Sequence, residues 1–290
     1  MKKYSILFFI LLYAHQATIY SFSIPKFYHG RIFLDETRFS EETLFSFDLL
    51  FAGGTKHFDR KGYTGRLAFT ELILQLYQNF NKGFFLHAYL PICSVKLTDV
   101  EPHGSHSAIE HYIHQADIYS PGLFAGWTLN YEETQRLDFI DFTLELGALL
   151  PSSKKAITPF LFPVGYTEKP GFAAAAYGAL GALEWFTTGL YVQAIVLNQA
   201  AIWSSGAYIK LDHIIPRISF LCAACGDGQN KEIESINPWM MFSLYLSAEL
   251  DLAHDDQPWL PRIKIFFSKP LKGKNILKAG LGGFDIGFDY

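Results

Sequence analysis

The sequence predicts an all-β fold: a transmembrane, antiparallel, up-and-down β-barrel of about twelve strands, with fourteen as the alternative count. Three observations predict it. First, residues 240–252 put Met240, Phe242, Leu244, Leu246, Ala248, Leu250 and Leu252 at every second position, against Met241, Ser243, Tyr245, Ser247, Glu249 and Asp251. Side chains alternate across a strand, so this segment has one fully apolar face and one polar face. An ordinary globular strand runs about 5–6 residues, whereas a strand crossing a bilayer at a tilt needs roughly 9–11, and this run is long enough. Second, the connections alternate between long and short, as in barrels with short periplasmic turns and longer external loops. Third, the last segment repeats the two-sided pattern, with Phe284, Ile286, Phe288 and Tyr290 against Gly283, Asp285, Gly287 and Asp289.

The chain opens Met1-Lys2-Lys3, runs apolar through residues 4–13 and reaches the small residues Ser21 and Ser23. A basic start, an apolar core and a small-x-small exit describe a secretory signal peptide over residues 1–23. Residues 24–41 form a periplasmic lead, and residues 42–290 the barrel. The net charge of −4 grows more negative once Lys2 and Lys3 are removed, which is not the balance of a nucleic-acid binder. Aromatic residues make up 17% of the chain, a load suited to a surface that meets lipid and headgroups.

The strands follow in order. Phe45, Phe47, Leu49 and Phe51 alternate with Ser46, Asp48 and Leu50, and a polar loop through Lys56, Asp59, Arg60 and Lys61 follows. Residues 66–80 and 84–93 make a hairpin around Asn81-Lys82-Gly83, whose Asn and Gly tolerate the positive φ of a tight turn. Residues 95–121 read as a long polar connection. Leu123, Ala125, Trp127 and Leu129 start the next strand, and Ile140, Phe142, Leu144, Leu146 and Ala148 the one after it. A proline-bearing loop over residues 151–171 separates these from a hairpin of residues 173–185 and 189–197, joined at Thr187-Thr188. That hairpin is preferred to a membrane helix because Glu184 would sit at the helix centre, at a cost of about 3 kcal/mol. Residues 207–212 and 217–225 turn at Ile215-Pro216, a charged loop over 226–238 leads into residues 240–252, and residues 262–267 precede the final strand.

Charges are expensive on a lipid face, so the polar face must look inward. The expected lumen-lining residues are Asp48, Glu71, Gln75, His87, Tyr89, Asn130, Asp141, Glu145, Lys210, Asp212, Arg217, Tyr245, Glu249, Arg262 and Lys264, with Gln193 and Ser243 beside them. A lining of mixed sign serves as a selectivity surface. The competing reading is a salt-bridged interior with no open path. Export permits a disulfide between Cys222 and Cys225; with no second Cys-x-x-Cys, a disulfide or plain thiols are favoured over zinc. His103, His106, His111 and His114 read as solvated loop histidines rather than a metal site.

The alternating segment ending in Phe284, Ile286, Phe288 and Tyr290 resembles the C-terminal signal of bacterial outer-membrane barrels. That resemblance implies outer-membrane lipid, periplasmic chaperones and the barrel-assembly machinery as partners. Leu90-Pro91, then Ala116-Asp117-Ile118, then Leu149-Leu150-Pro151-Ser152-Ser153-Lys154 resemble the channel family of the phenol-degradation meta-pathway, related to aromatic-hydrocarbon uptake barrels. Where that family usually has Gly-Asp-Ile and Leu-Pro-Thr-Gly, this chain has Ala116 and Ser152-Ser153. The resemblance implies a channel or passive transporter for small, hydrophobic or aromatic solutes, with neither an enzymatic activity nor a cofactor. A structural or adhesive barrel without a pore is the alternative. A third reading comes from His103-Gly104-Ser105, which resembles the His-x-Ser element of outer-membrane phospholipase.

Overall fold

The computed structural model describes residues 45–60, 63–80, 83–102, 113–118, 121–134, 137–150, 170–181, 185–197, 200–230, 239–252, 260–274 and 280–289. The expected signal peptide, the periplasmic lead, Tyr290, and His103, Ser105, His106 and His111 lie outside these residues. Thirteen antiparallel strands make one sheet: β1 (Phe45–Arg60), β2 (Tyr63–Asn79), β3 (Phe84–Pro102), β4 (Ile113–Ile118), β5 (Gly122–Thr134), β6 (Leu137–Leu149), β7 (Gly171–Gly181), β8 (Phe186–Leu197), β9 (Ala200–Ile215), β10 (Ile218–Gln229), β11 (Trp239–Asp251), β12 (Arg262–Lys274) and β13 (Leu281–Asp289). Neighbours in sequence are neighbours in space, apart from the short β4.

β1 pairs with β13 at one end of the run, and the β2–β3 ladder joins the other, so twelve strands each have a partner on both sides. The thirteenth, β4, extends the line of β5 along the upper part of β3. Tyr89 of β3 pairs with Gly122 of β5, and Ile92 resumes pairing with Ile118 of β4. Pro91, which has no N–H to give, falls in the gap between these two ladders. The ring of ladders pairs each of these twelve strands on both sides over part of its length, as hydrocarbon demands of a sheet that crosses it, while the last residues of β1 and of β5 are paired on one side only.

The outer face is the apolar one. Leu146 and Phe172 are each 68% exposed and Leu190 66%, whereas Gln75, His87, Glu145, Arg262 and Lys264 are each 5% exposed or less. That inversion of a soluble protein's pattern is the signature of a barrel bathed in lipid. On β11, Met240, Phe242, Leu246 and Leu250 are exposed while Met241, Ser243 and Tyr245 are buried, the two sides that the alternation predicts.

Inside, large rings lie over glycines paired directly opposite them. Phe85 covers Gly126, Phe124 covers Gly147, Tyr208 covers Gly189 and Tyr191 covers Gly206. A Cβ at Gly147 would run into the Phe124 ring and come 2.7 Å from the Leu123 carbonyl oxygen. Gly147→Ala is therefore expected to destabilise the barrel by about 1–3 kcal/mol, the usual cost of overpacking. Denaturant unfolding in lipid vesicles measures it.

Several boundaries differ from the sequence reading. β1 continues to Arg60 and pairs with β2 as far as Tyr63, so Lys56, Asp59 and Arg60 are strand, and only residues 61–62 separate the two. β3 runs on to Pro102, β4 lies within the expected long connection, and β9 begins at Ala200. β7 ends at Gly181, which moves the joint of that hairpin from Thr187-Thr188 to residues 182–185. Sorting of the connections by length holds in part. Residues 103–112 and 150–170 connect strands at the end away from the termini, while Thr134↔Leu137 and Ile215↔Ile218 leave two residues between strands at the other. Against the expectation of a long connection after the first strand, Arg60↔Tyr63 leaves two residues at the end away from the termini, where Leu197↔Ala200 is equally tight; ten residues separate Asp251 from Arg262 at the other end.

Candidate functional site on the inner face

The inward residues gather into three polar groups. The first spans β2 to β7. Tyr77 stacks on His87 with ring centroids 4.3 Å apart, and His87 stacks on Phe124 at 5.3 Å. Nδ1 of His87 lies 3.0 Å from Oε1 of Glu145, Tyr177 donates its hydroxyl to Oε2 of Glu145 at 3.1 Å, and the Tyr77 hydroxyl donates to Gln75 Oε1 at 2.8 Å. The register explains the grouping: Tyr77 is opposite His87, and His87 is opposite Phe124.

The second group lies on β8 to β11. Ser204 donates to the Asp227 carboxylate across a direct β9–β10 pair, and Gln193 is opposite Ser204. Asp227 and Ser243 are fully buried. The third group is ionic. Lys264 Nζ is 3.0 Å from Glu249 Oε2, Arg262 Nη1 is 4.0 Å from Glu249 Oε1, and Asp285 pairs with Lys264 from the other side in the register. Lys210 and Asp212 form a further pair at 2.9 Å. Tyr245 stacks on Phe266 nearby, at 5.8 Å.

Of the residues expected to face inward, Gln75, His87, Glu145, Tyr245, Arg262 and Lys264 are buried there, as are Gln193 and Ser243. Asp141, Lys210, Asp212 and Glu249 share that face and are partly exposed. Asp48 and Tyr89 both occupy register positions opposite Gln75, Asn130 is opposite Asp141, and Glu71 is opposite Ala52; their side chains are outside what the structure describes. Arg217 is a correction. It sits in the β9–β10 turn at φ 64, exposed at the barrel's end, because the two residues between Ile215 and Ile218 must reverse the chain.

The cysteines are a second correction. Both are free thiols: Cys222 is exposed on the outer face and Cys225 is buried on the inner. Three positions apart on a strand is an odd separation, which sends the two side chains to opposite faces of the sheet and forbids a local bridge. Phe284, Ile286 and Phe288 lie on the outer side of β13, and Phe284 stacks on Phe51 at 5.4 Å. The sequence reading did not single out Phe124, Tyr177, Tyr191, Tyr208, Asp227 or Asp285 as lining residues. Strand parity is the available signal for three of them: Phe124 shares the alternation of Asn130, Tyr191 that of Gln193, and Tyr208 that of Lys210.

No protein-family model matches the chain, and no curated protein sequence matches it. Solved structures do. The COG4313 outer membrane channel from Pseudomonas putida F1 superposes with a TM-score of 0.58 at 10% identity, covering 85% of this chain and 94% of that one. The translocator domain of the autotransporter NalP from Neisseria meningitidis gives 0.48 at 11% identity over 92% and 96% of the two chains. The KdgM porin gives 0.44 at 8% identity over 84% and 99%. At such identities the likeness to the first is one of fold, and that fold is the outer-membrane β-barrel.

Proposed function

We propose that this barrel is a passive outer-membrane conduit for small molecules, with a preference for hydrophobic or aromatic solutes. The observation that carries the reading is the inverted ring: an apolar exterior, and an interior where charges of both signs are interleaved with aromatic rings. Tyr77, Phe124, Tyr208 and Phe266 make the interior aromatic, and Tyr177, which is partly exposed, offers flat apolar surface to a ring-bearing solute. Lys264, Arg262, Glu249 and Glu145 provide the fixed charges that sort ions and polar solutes. The fragments that resemble the phenol-degradation channel family also meet in space. Ile92 and Cys93, just beyond Leu90-Pro91, pair with Ile118 and Asp117, and Leu150 N–H donates to the Pro121 carbonyl at 2.8 Å.

A second reading, a structural or adhesive barrel with a filled interior, is favoured by one observation: Phe85, Asp227 and Ser243 are sealed from solvent although they face inward. Planar-bilayer recording separates the two. Discrete conductance steps, together with swelling of protein-loaded vesicles in small aromatic acids, are expected of the conduit. Silence in both assays would decide for the filled barrel over the conduit. The hydrolase reading rests on His103 and Ser105, and a wild-type protein that releases no fatty acid from phospholipid would end it.

A further inference from the structure

On β7 to β13 the described outer face carries no carboxylate, and its cations, Lys269, Lys272 and Lys274, all belong to the upper half of β12. Strict alternation would not gather them. Lys269 faces outward opposite Leu244, but with unbroken parity Lys272 and Lys274 would turn inward. The register slips by one residue between Phe242 and Ser243. Ser243 pairs with Pro270 and Phe242 with Lys272, which leaves Leu271 as the extra residue. This β-bulge flips the strand's phase and puts Lys272 and Lys274 opposite the outward Phe242 and Met240. All three lysines are exposed.

Directly below this column, the outer surface of β9 to β12 is hollowed into an apolar groove of about 500 Å³. Small residues, Cys222 and Ala248, form its floor between Ile209, Phe220, Ile265 and Phe267. The column and the groove are continuous, since Lys269 is the next outward position after Phe267. Lys269 is level with Leu244 inside the outward apolar row of β11, and Lys272 and Lys274 are level with Phe242 and Met240 at its upper end; lysines on that side are costly unless each ammonium extends to polar partners, and anionic headgroups above supply them. The end of β12 that carries the lysines is opposite the chain termini, where Ser46 pairs with Asp289. It therefore belongs to the external leaflet, whose lipid bears phosphates on a multiply acylated sugar.

We propose that this face is a binding site for a phosphorylated saccharolipid, with one acyl chain in the groove and phosphate on Lys269, Lys272 and Lys274. The test uses the full-length protein in nanodiscs, with native mass spectrometry of bound bisphosphoryl lipid A, its phosphate-free counterpart and inorganic phosphate. The wild type is expected to retain bisphosphoryl lipid A at least ten-fold better than Lys269→Gln/Lys272→Gln/Lys274→Gln, and better than it retains the phosphate-free lipid. Ala248→Phe, which fills the groove and keeps the lysines, is expected to weaken retention as well. Unchanged heat-modifiable migration shows that each variant still forms the barrel. Equal retention by wild type and triple variant would overturn the proposal. So would equal affinity for the phosphate-free lipid, or inorganic phosphate bound as tightly as the lipid.

Discussion

Val192→Lys is expected to cost the barrel about 2–4 kcal/mol, the penalty of a cation on the lipid face near the bilayer midplane. Val192 lies in the middle of β8, 54% exposed, opposite Ala176 on one side and Ser205 on the other. Its ammonium would have no water and no carboxylate within reach on that face. The neighbouring residue supplies the control. Gln193→Lys introduces the same group one position along, on the inner face, where Gln193 pairs with Ser204 and Ser204 donates to Asp227. There the new charge has an anion nearby, so the loss is expected to be less than half as large. Urea unfolding from vesicles of both variants measures the difference. Equal losses would mean that the outer face of β8 is not in contact with hydrocarbon.

That contrast rests on alternation, the feature of this fold most legible in the sequence. The strand around Met240 to Asp251, the apolar row on β6 and the inward carboxylates of Glu145 and Glu249 all follow from parity within the bilayer, where lipid punishes every misplaced charge. Above the bilayer that constraint lapses. β1, β2 and β3 run 16, 17 and 19 residues, beyond the roughly 9–11 that a crossing needs, so polar residues such as Lys56 and Asp59 can follow without alternation and imitate a loop while remaining paired strand. β4 was invisible for the same reason. The lysine column was hidden for a different one: parity counted along β12 gives the wrong face beyond Leu271, and nothing in the residues 269–274 announces the bulge except Pro270, which cannot donate to a ladder. Cys222 and Cys225 show the converse. Their spacing suggested a bridge, yet the strand in which they sit already places them on opposite sides.

The ionic group at Glu249 is expected to produce the other large effect. Glu249→Leu removes the carboxylate that Lys264 approaches at 3.0 Å and Arg262 at 4.0 Å, two cations that are 3% and 4% exposed. Breaking a buried ion pair from one side typically costs 3–5 kcal/mol because a desolvated charge loses its compensation. Here the lower end applies, about 3 kcal/mol, since Asp285 remains opposite Lys264 in the register. The double variant Glu249→Leu/Lys264→Met removes both ends of the contact and is expected to recover part of the loss; with the single variant Lys264→Met it completes the cycle that gives the coupling between the two side chains. The same pair of variants addresses transport. With Glu249 gone, Lys264, Arg262 and Lys210 weigh more heavily on that side of the interior, so reversal potentials across a salt gradient should shift toward anions, and the double variant should shift back. A destabilised Glu249→Leu barrel whose ion selectivity matched the wild type would assign this group to holding β11, β12 and β13 together and would place the path for solutes elsewhere in the ring.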